Sequence, residues 1–482
     1  MSKYLTTIGL ETHVQLKTHT KMFCGCSLQF GAEPNTNVCP VCLGYPGALP
    51  VMNREAIKLT VMSGLMLGCE INRLRTFDRK NYFYPDMSKD YQISQNGHPL
   101  CLGGGVTIHT PQGPRRIRIN HIHLEEDAAK INHYANFSGV DFNRCGTPLM
   151  EIVSEPDLSS PDEAMAYVLA LKQILVYTGV SDCNLEEGNM RCDVNISVRP
   201  EGQEQLGTKV EIKNMNTFKG IHAALDYEIS RQLYAVTHGI AIVQETRRWE
   251  ADQGETQSMR SKENAHDYRY LPEPDLAPVA LGVEQVEAWR ASLPELPSAR
   301  RVRMMAEYGI PEYDAGVLAD AKENADFFEA AARLCGQGKT VSNWFMTEIM
   351  RQLSLTGKTI SESALTPEAL AQLVSLLNDG TINGTTAKSL SGDLFSSGGM
   401  PLDLVKQHGL GQVSDSGEVE AFVDQALAAN AKSVEDFKAG KKAAAGFLVG
   451  QAMKLSKGKA DPKLVGKLVS EKLARHGSDR VM

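Results

Sequence analysis

The sequence lacks the segments that mark exported and membrane-spanning proteins. Nowhere do about 18 apolar residues run together, and the N-terminus MSKYLTTIGL has no basic stretch followed by a long apolar run. No low-complexity tract or repeat of fixed period appears either. Apolar residues make up 42% and charged residues 22%, which is ordinary for globular proteins. We therefore expect a folded, soluble, cytoplasmic protein that does not enter a membrane.

Two further patterns are missing. The 10 cysteines do not suggest a disulfide framework, because such frameworks belong to short secreted domains, so reduced thiols are expected. A P-loop is also absent. Arg333 stands where the motif ending in Gly338-Lys339-Thr340 needs its first glycine, and Gln352 stands there before Gly357-Lys358-Thr359. If the protein binds ATP, it uses another architecture.

The chain of 482 residues is too long for one hydrophobic core, since cores stop growing near about 250 to 300 residues. Up to about residue 290, short alternating stretches joined by Gly, Pro and Asn predict a region that is mainly sheet. After LPELP (293–297) the spacing becomes helical, with a late break at HGLG (408–411). These changes predict domains at 1–293, 294–408 and 409–482.

One helix within the sheet-rich region is well marked. Ser160 has the character of an N-cap, Pro161 suits the first helical position, Glu163 could close a capping box and Gly179 would end the helix. The apolar residues between them share one face. The sequence predicts a helix from Pro161 to Thr178.

Charge is unevenly distributed. The net charge is −8, but residues 431–482 contain 12 Lys and Arg against 5 Asp and Glu, which gives +7 there and −15 elsewhere. A basic terminal segment on an acidic protein can bind phosphate backbones, and amphipathic helices with solvated lysines give the same pattern. Charge alone leaves both interpretations open.

Four cysteines form the clearest metal-binding pattern. Cys24-x-Cys26 is followed, after 12 residues, by Cys39-x-x-Cys42. Thiolates from two close pairs can surround one Zn²⁺ tetrahedrally, and a site with four protein ligands is structural. Four buried free thiols are the alternative. We favour a zinc site, because Gly25 and Pro40 supply turns.

Carboxylates and one imidazole form a second set of possible ligands. Glu11 and His13 lie two apart in a strand-like stretch and should point the same way. Glu151 has apolar neighbours, and an ionised carboxylate is seldom buried without a partner or a metal. Such ligands suit the Mg²⁺ that a nucleotide carries, although each one taken singly could be a solvated surface group. The same region also contains Glu125, Asp193 and Glu211.

Cations alternate with aromatic rings in RKNYFYPD (79–86), which includes Lys80 and Tyr82, and Lys89 follows. Phosphate and base or ribose contacts would use both residue types, and an ordinary aromatic cluster under a loop would show the same local text. Further cations include Arg144, Arg191, Lys213 and Arg248. Together they are sufficient for an anionic substrate.

These motifs belong to a longer pattern. From residue 7 onward the chain resembles the B subunits of the three-subunit Asp-tRNA/Glu-tRNA amidotransferases of bacteria and organelles. The stretches that carry the resemblance, in order, are IGLETHVQL, FGAEPN, RKNYFYPDMSKDYQISQ, HLEEDAAK, DFNRCGTPLMEIVSEPD, LEEGNMRCDVNISVRP, VEIKNMNTFKGI, ETRRW and DYRYLPEPDL.

The resemblance implies a fold of α+β class. It comprises a mainly antiparallel-sheet cradle related to glutamine synthetase, an all-α helical domain, and a small α-helical tail similar to YqeY proteins. It also implies a reaction. ATP phosphorylates the side-chain carboxylate of misacylated Glu-tRNA(Gln) or Asp-tRNA(Asn), and ammonia then displaces phosphate, which leaves far more readily than hydroxide.

The resemblance further implies site residues and partners. Ligands of Mg²⁺ are expected first at Glu11, His13, Glu125 and Glu151 and second at Asp193 and Glu211, while the cysteines would hold structural zinc. Nucleotide or phosphate contacts are inferred for Lys80, Tyr82, Lys89, Arg144 and Lys213 from their positions inside the matched motifs and from charge. Ammonia would come from an amidase subunit, a small third subunit would complete a heterotrimer, and the basic tail would approach the tRNA.

Two other functions fit parts of the sequence. A zinc-containing RNA-binding scaffold without catalysis would use the cysteines and the tail, but would leave the carboxylates unexplained. A free-standing ATP-dependent ligase acting on a small carboxylate would use the carboxylates, but would not need the tail. Phosphate release from ATP that requires misacylated tRNA separates the three.

Overall fold

The structure is a computed structural model that describes residues 4–95, 97–185, 187–261, 268–410, 416–438, 441–456 and 460–478. The chain divides into two units, Met1–Leu296 and Pro297–Met482. All 10 cysteines are free. In the described ranges, no helix combines the length and the apolar character needed to cross a bilayer.

The first unit contains the sheet. Its strands are β1 (Tyr4–Gln15), β2 (Glu70–Ile71), β3 (Leu74–Arg75), β4 (Asp78–Asn81), β5 (Tyr91–Ser94), β6 (Cys101–Leu102), β7 (Gly105–Thr110), β8 (Gly113–Glu126), β9 (Lys130–His133), β10 (Ser138–Asp141), β11 (Pro148–Ser154), β12 (Met190–Pro200), β13 (Val210–Lys213), β14 (Glu245–Glu250), β15 (Glu255–Ser261), β16 (Leu271–Pro272) and β17 (Val279–Ala280). Its helices are α1 (Arg54–Met66), α2 (Pro161–Tyr177), α3 (Phe218–Thr237) and α4 (Val283–Ala291).

Within the described part of the chain, 13 strands form one large sheet. Its main order is β15-β14-β13-β12-β1-β11-β8-β5-β4-β16; β6 and β7 also pair with β8, and β2 pairs with β6. Neighbouring strands are antiparallel except β13 and β14, which are parallel. The long strands β1 and β8 lie near the middle, so residues from distant parts of the sequence meet there.

The two faces of this sheet differ in chemistry because successive side chains of a strand point to opposite sides. On one face, Leu10 and Val14 of β1 and Ile152 of β11 are buried in the hydrophobic core. Helices α2 and α3 contribute Leu171 and Leu225 to the same core. The helices therefore cover one face, and the alternate residues of the strands form the other.

Helix α2 begins at the predicted residue, Pro161, and ends at Tyr177, one residue before the predicted end. Ser160 accepts a hydrogen bond from the amide of Glu163, and Thr178 is the C-cap. The predicted capping box does not close, because the Glu163 carboxylate accepts instead from the amide and hydroxyl of Ser159 and pairs with Arg115. The arginine on β8 draws the carboxylate away from the N-cap amide.

Replacing Ser160 with alanine should lower the free energy of unfolding by about 1 kcal/mol, because the Glu163 amide loses its acceptor. Urea unfolding followed by circular dichroism measures this change. Ser230→Ala is the control, since that exposed hydroxyl only bonds a carbonyl within α3. Equal effects of the two substitutions would show that the cap contributes nothing.

The second unit is helical in its described ranges. Its α-helices are α5 (Pro297–Tyr308), α6 (Glu312–Leu318), α7 (Lys322–Cys335), α8 (Gly338–Trp344), α9 (Met350–Thr356), α10 (Pro367–Asn378), α11 (Gly384–Ser397), α12 (Pro401–His408), α13 (Ser416–Ala429), α14 (Ala431–Lys438), α15 (Ala443–Leu455) and α16 (Pro462–Ser478). A π-helical turn (Phe345–Ile349) joins α8 to α9, and a 3₁₀ turn (Ile360–Glu362) precedes α10. One hydrophobic cluster extends from Met304 to Val405 and a second from Val419 to Leu473.

Candidate active site and metal centres

The uncovered face of the sheet carries a row of polar residues across four strands. His13 on β1 lies opposite Arg191 on β12 and Glu151 on β11, and Glu151 lies opposite His123 on β8. Two residues away along the same strands, Glu11 on β1 lies opposite Asp193 on β12. The antiparallel register therefore gathers residues from four distant parts of the sequence.

The structure brings His13, Glu125 and Glu151 together as one group. The His13 Nε2 atom is 3.3 Å from Glu151 Oε2 and 3.6 Å from Glu125 Oε1, and the ligand atoms of all three residues lie within 4.8 Å of one another. An octahedral Mg²⁺ with ligands at about 2.1 Å holds adjacent ligand atoms about 3 Å apart. The three side chains therefore fit a divalent cation with little movement.

Burial and mutual proximity shift the pKa values of this group. Burial, with help from Glu151, raises the pKa of Glu125 to about 7. Burial opposes ionisation of Glu151, but the neighbouring His123 and the hydrogen bond to His13 hold its pKa below the usual range. Burial likewise opposes protonation of His13, yet the hydrogen bond and charge of Glu151 raise its pKa to about 9. The carboxylates of Glu125 and Glu151 lie close together, so this group favours a positively charged ligand such as a divalent cation.

A second acidic group lies beside the first. Lys213 Nζ is 2.6 Å from Asp193 Oδ2 and 3.4 Å from Glu211 Oε1. Asn195 donates to Glu11 Oε1 at 2.7 Å, and burial followed by the charge of Glu151 raises the pKa of Glu11. The structure places Glu11, Asp193 and Glu211 on one face, with the ammonium of Lys213 between two of them.

A cavity of about 600 Å³ opens on this polar face. This volume is within the usual range for small-molecule sites, roughly 300 to 1,000 Å³. Of the site residues predicted from the sequence, those that line the cavity are His13, Lys80, Tyr82, Glu125, Asp193 and Lys213. Lys80 Nζ lies 4.9 Å from the ring centroid of Tyr268, which also lines the cavity. Cations and rings thus border the cavity together.

Lys89 and Arg144 have protein partners instead. Lys89 pairs with the buried Glu126, whose carboxylate also accepts from the Ile93 amide. Arg144 donates to the carbonyls of Ala128 and Ala129 at 2.9 and 2.7 Å. Both cations have protein partners next to the cavity, and neither is among its lining residues in the described part of the chain.

Asp127 and His123 were not predicted as site residues, and Arg191 and Arg248 were noted only as two of several cations. Asp127, Arg191 and Arg248 line the cavity, and the buried Asp127 pairs with Arg191 and accepts from Gln15 at 3.1 Å. Burial opposes ionisation of Asp127, but Arg191 and Arg144 hold its pKa below the usual range. His123 Nε2 is 3.5 Å from Glu151 Oε2. The signal for His123 was the alternation His121-x-His123-x-Glu125, which places all three on one face.

The four cysteines converge, with their sulfur atoms within 4.8 Å of one another. The sulfurs of Cys39 and Cys42 are 3.9 Å apart, and a tetrahedron with Zn–S distances of about 2.3 Å requires about 3.8 Å. Hydrogen bonding with Cys24 and the Cys39 backbone lowers the pKa of Cys42 to about 4, whereas burial raises that of Cys26 to about 11. The spacing fits zinc, which binds the deprotonated form of all four.

The chain matches known proteins along nearly its whole length. A family model described as the GatB/GatE catalytic domain matches residues 6–287, and one described as the GatB domain matches residues 326–473. The B subunit of the aspartyl/glutamyl-tRNA(Asn/Gln) amidotransferase of Carboxydothermus hydrogenoformans is 51% identical over 480 residues, covering 98% of this chain and 100% of the relative. Its counterpart of the same name in Brevibacillus brevis is 48% identical over 476 residues, covering 98% and 99%. The chain belongs to the GatB/GatE family, that of the aspartyl/glutamyl-tRNA(Asn/Gln) amidotransferase B subunits.

Proposed function

We propose that this chain is the subunit that activates the side-chain carboxylate of misacylated Glu-tRNA(Gln) or Asp-tRNA(Asn) with ATP and then forms the amide. It acts as a carbon–nitrogen ligase with glutamine as the source of ammonia. The supporting observation is the convergence of His13, Glu125 and Glu151 on the polar face of the sheet, beside a cavity bordered by cations.

The proposed chemistry answers a specific difficulty. A carboxylate at neutral pH resists attack by ammonia, because its carbon is electron-rich and its oxygen leaves poorly. Transfer of the terminal phosphate of ATP to that carboxylate creates a good leaving group. Phosphoryl transfer depends mainly on positioning and charge neutralisation, which a rigid sheet face with fixed charges can provide.

The roles of the residues follow from their positions. His13, Glu125 and Glu151 would hold one Mg²⁺, and Glu11, Asp193 and Glu211 would form the second set of ligands. Bound Mg²⁺ supplies neutralisation of the phosphate oxygens. Lys80 and Lys213 border the cavity and bind phosphate, and Tyr82 packs against the nucleotide. Lys89 and Arg144 support the cavity wall through Glu126 and the Ala128 and Ala129 carbonyls.

The remaining components of the proposal concern partners, metals and domains. An amidase subunit supplies ammonia, a small third subunit completes a cytoplasmic heterotrimer, and the +7 charge of residues 431–482 favours contact with tRNA. The cysteine cluster holds structural zinc.

The first domain, 1–293, is a cradle related to glutamine synthetase, followed by a helical domain at 294–408 and a YqeY-like tail at 409–482. Three separate hydrophobic clusters support this division.

Phosphate release tests the proposal directly. The three subunits are assembled with Mg²⁺, labelled ATP and no ammonia donor, and either Glu-tRNA(Gln), Asp-tRNA(Asn) or the corresponding uncharged tRNA is added. We expect release only with a misacylated tRNA. Release without tRNA, stimulated by free glutamate or aspartate, would indicate a small-molecule ligase. No release with any tRNA, together with retained tRNA binding, would indicate an RNA-binding scaffold.

A further inference from the structure

Lys21 is a fully buried lysine, with 0% of its surface exposed. It lies on the loop that follows β1 and precedes Cys24. Lysine is almost never fully buried without a partner, because moving an ammonium group out of water costs several kcal/mol. The nature of its partners therefore carries information about this loop.

Those partners are unusual for a lysine. Nζ donates to the Cys42 sulfur at 3.6 Å and to the Phe142 carbonyl at 3.0 Å. Among the residues that the structure describes, no carboxylate forms an ion pair with it. The carbonyl satisfies one donor but supplies no negative charge. Of these two contact partners, only the Cys42 sulfur can carry a negative charge.

Metal binding would give this cluster a permanent negative charge. Zinc coordinates thiolates, so a divalent ion with four of them carries a net charge of −2. A buried ammonium against one of the sulfurs offsets part of that charge. If all four sulfurs were neutral thiols, the ammonium would be buried without compensation.

The contacts of Lys21 also tie the cysteine loop to a neighbouring segment. The next residue, Met22, donates its amide to the Gly146 carbonyl at 2.7 Å, and the Gly146 amide donates to the Asp127 carbonyl at 2.9 Å. Asp127 lines the cavity. A continuous set of contacts thus leads from the cluster through residues 142–146 to the cavity wall.

We propose that Lys21 is the counter-cation of a divalent metal bound by the four cysteines, and that it holds the cysteine loop against residues 142–146. The inference rests on the zinc site proposed above. Lys21 is accordingly a positioning residue, and its charge matters most when the metal is bound, because the cluster then carries four thiolates. Residues with this role in metal sites typically contribute 10- to 100-fold to metal affinity.

The test measures zinc affinity and stability of the purified full-length chain under reducing conditions. Lys21→Met removes the charge and keeps the length of the side chain. We expect about 10- to 100-fold weaker zinc binding in competition with a chromogenic chelator, and a lower Tm for the zinc-loaded variant than for the zinc-loaded wild type. Without zinc, the loss of Tm in the variant should be smaller, because the cluster then carries less negative charge. Lys17→Met is the control, because Lys17 is exposed and pairs with Asp182.

The outcomes are distinguishable. Wild-type protein that binds no zinc would refute the metal site and the inference with it. Unchanged zinc affinity in Lys21→Met would refute the inference alone, and equal loss of stability with and without zinc would reduce Lys21 to a packing role. If the variant does not fold, hydrogen exchange of the Met22 amide in the wild type tests whether zinc holds the cysteine loop against residues 142–146. Removal of zinc should speed that exchange about 10-fold or more, and no change would contradict the link to residues 142–146.

Discussion

Replacing Glu125 with glutamine should reduce tRNA-dependent phosphate release from ATP by at least about 100-fold, as expected when a charge-stabilising group is lost from a phosphoryl-transfer site. The substitution keeps the size of the side chain and removes the negative charge that His13 faces at 3.6 Å. Higher Mg²⁺ should restore part of the activity if the loss lies in metal binding. Initial rates across a range of Mg²⁺ concentrations measure both effects.

Folding should survive this substitution. Glu125 is buried beside Glu151, which raises its pKa to about 7, so its charge is unfavourable to the metal-free fold. The Tm of metal-free Glu125→Gln should therefore equal or exceed that of the wild type. Glu70→Gln is the control, since Glu70 is exposed at the end of β2. Phosphate release that persists unchanged in Glu125→Gln would refute the assignment of the metal site, although the amidotransferase function could stand.

Replacing Glu228 with alanine should destabilise the first unit by about 3 to 5 kcal/mol, the usual result of removing one partner from a buried ion pair. The Glu228 side chain is fully buried on α3. It accepts from Arg231 at 2.6 and 3.0 Å, from Gln232 at 2.9 Å and from Thr256 of β15 at 2.9 Å. Its loss leaves these donors without an acceptor and separates α3 from the edge of the sheet.

Urea unfolding of the full-length chain measures the effect on stability. Asp226→Asn is the matched control, because Asp226 lies on the same helix, is exposed and pairs with His222. Its effect should stay within about 0.5 kcal/mol. A loss below about 1 kcal/mol in Glu228→Ala would mean that water replaces the carboxylate, and that this network does not fasten α3 to β15.

Several features of the fold follow from short stretches of sequence. Helix α2 is bounded by Ser160 and Gly179, whose capping roles depend only on neighbouring residues. Alternation in β1 places Glu11 and His13 on one face, since the period of a strand is two. The cysteine spacing likewise predicted a cluster, because only one, twelve and two residues separate successive cysteines and such short loops close at little entropic cost. In each case the information lies within about 20 residues.

The composition of the cavity depends on strand pairing instead. Periodicity decides which face a residue occupies, but not which strand becomes its neighbour. His13, Glu151 and His123 meet because β1, β11 and β8 are adjacent in this register. A shift of one residue would turn Glu151 to the opposite face. This is why Arg191 was noted in the sequence only as one cation among many.

The sequence by itself determined helix α2, the helical character after residue 293, the cysteine cluster and, through its motifs, the family, but not α1, α3 or α4 of the first unit. Only the tertiary structure decided how the cations are used. Lys213 lines the cavity, whereas Lys89 and Arg144 find protein partners beside it, and Lys21 is buried against Cys42. The physical reason is that a buried charge takes its role from the groups that surround it, and those groups come from distant segments.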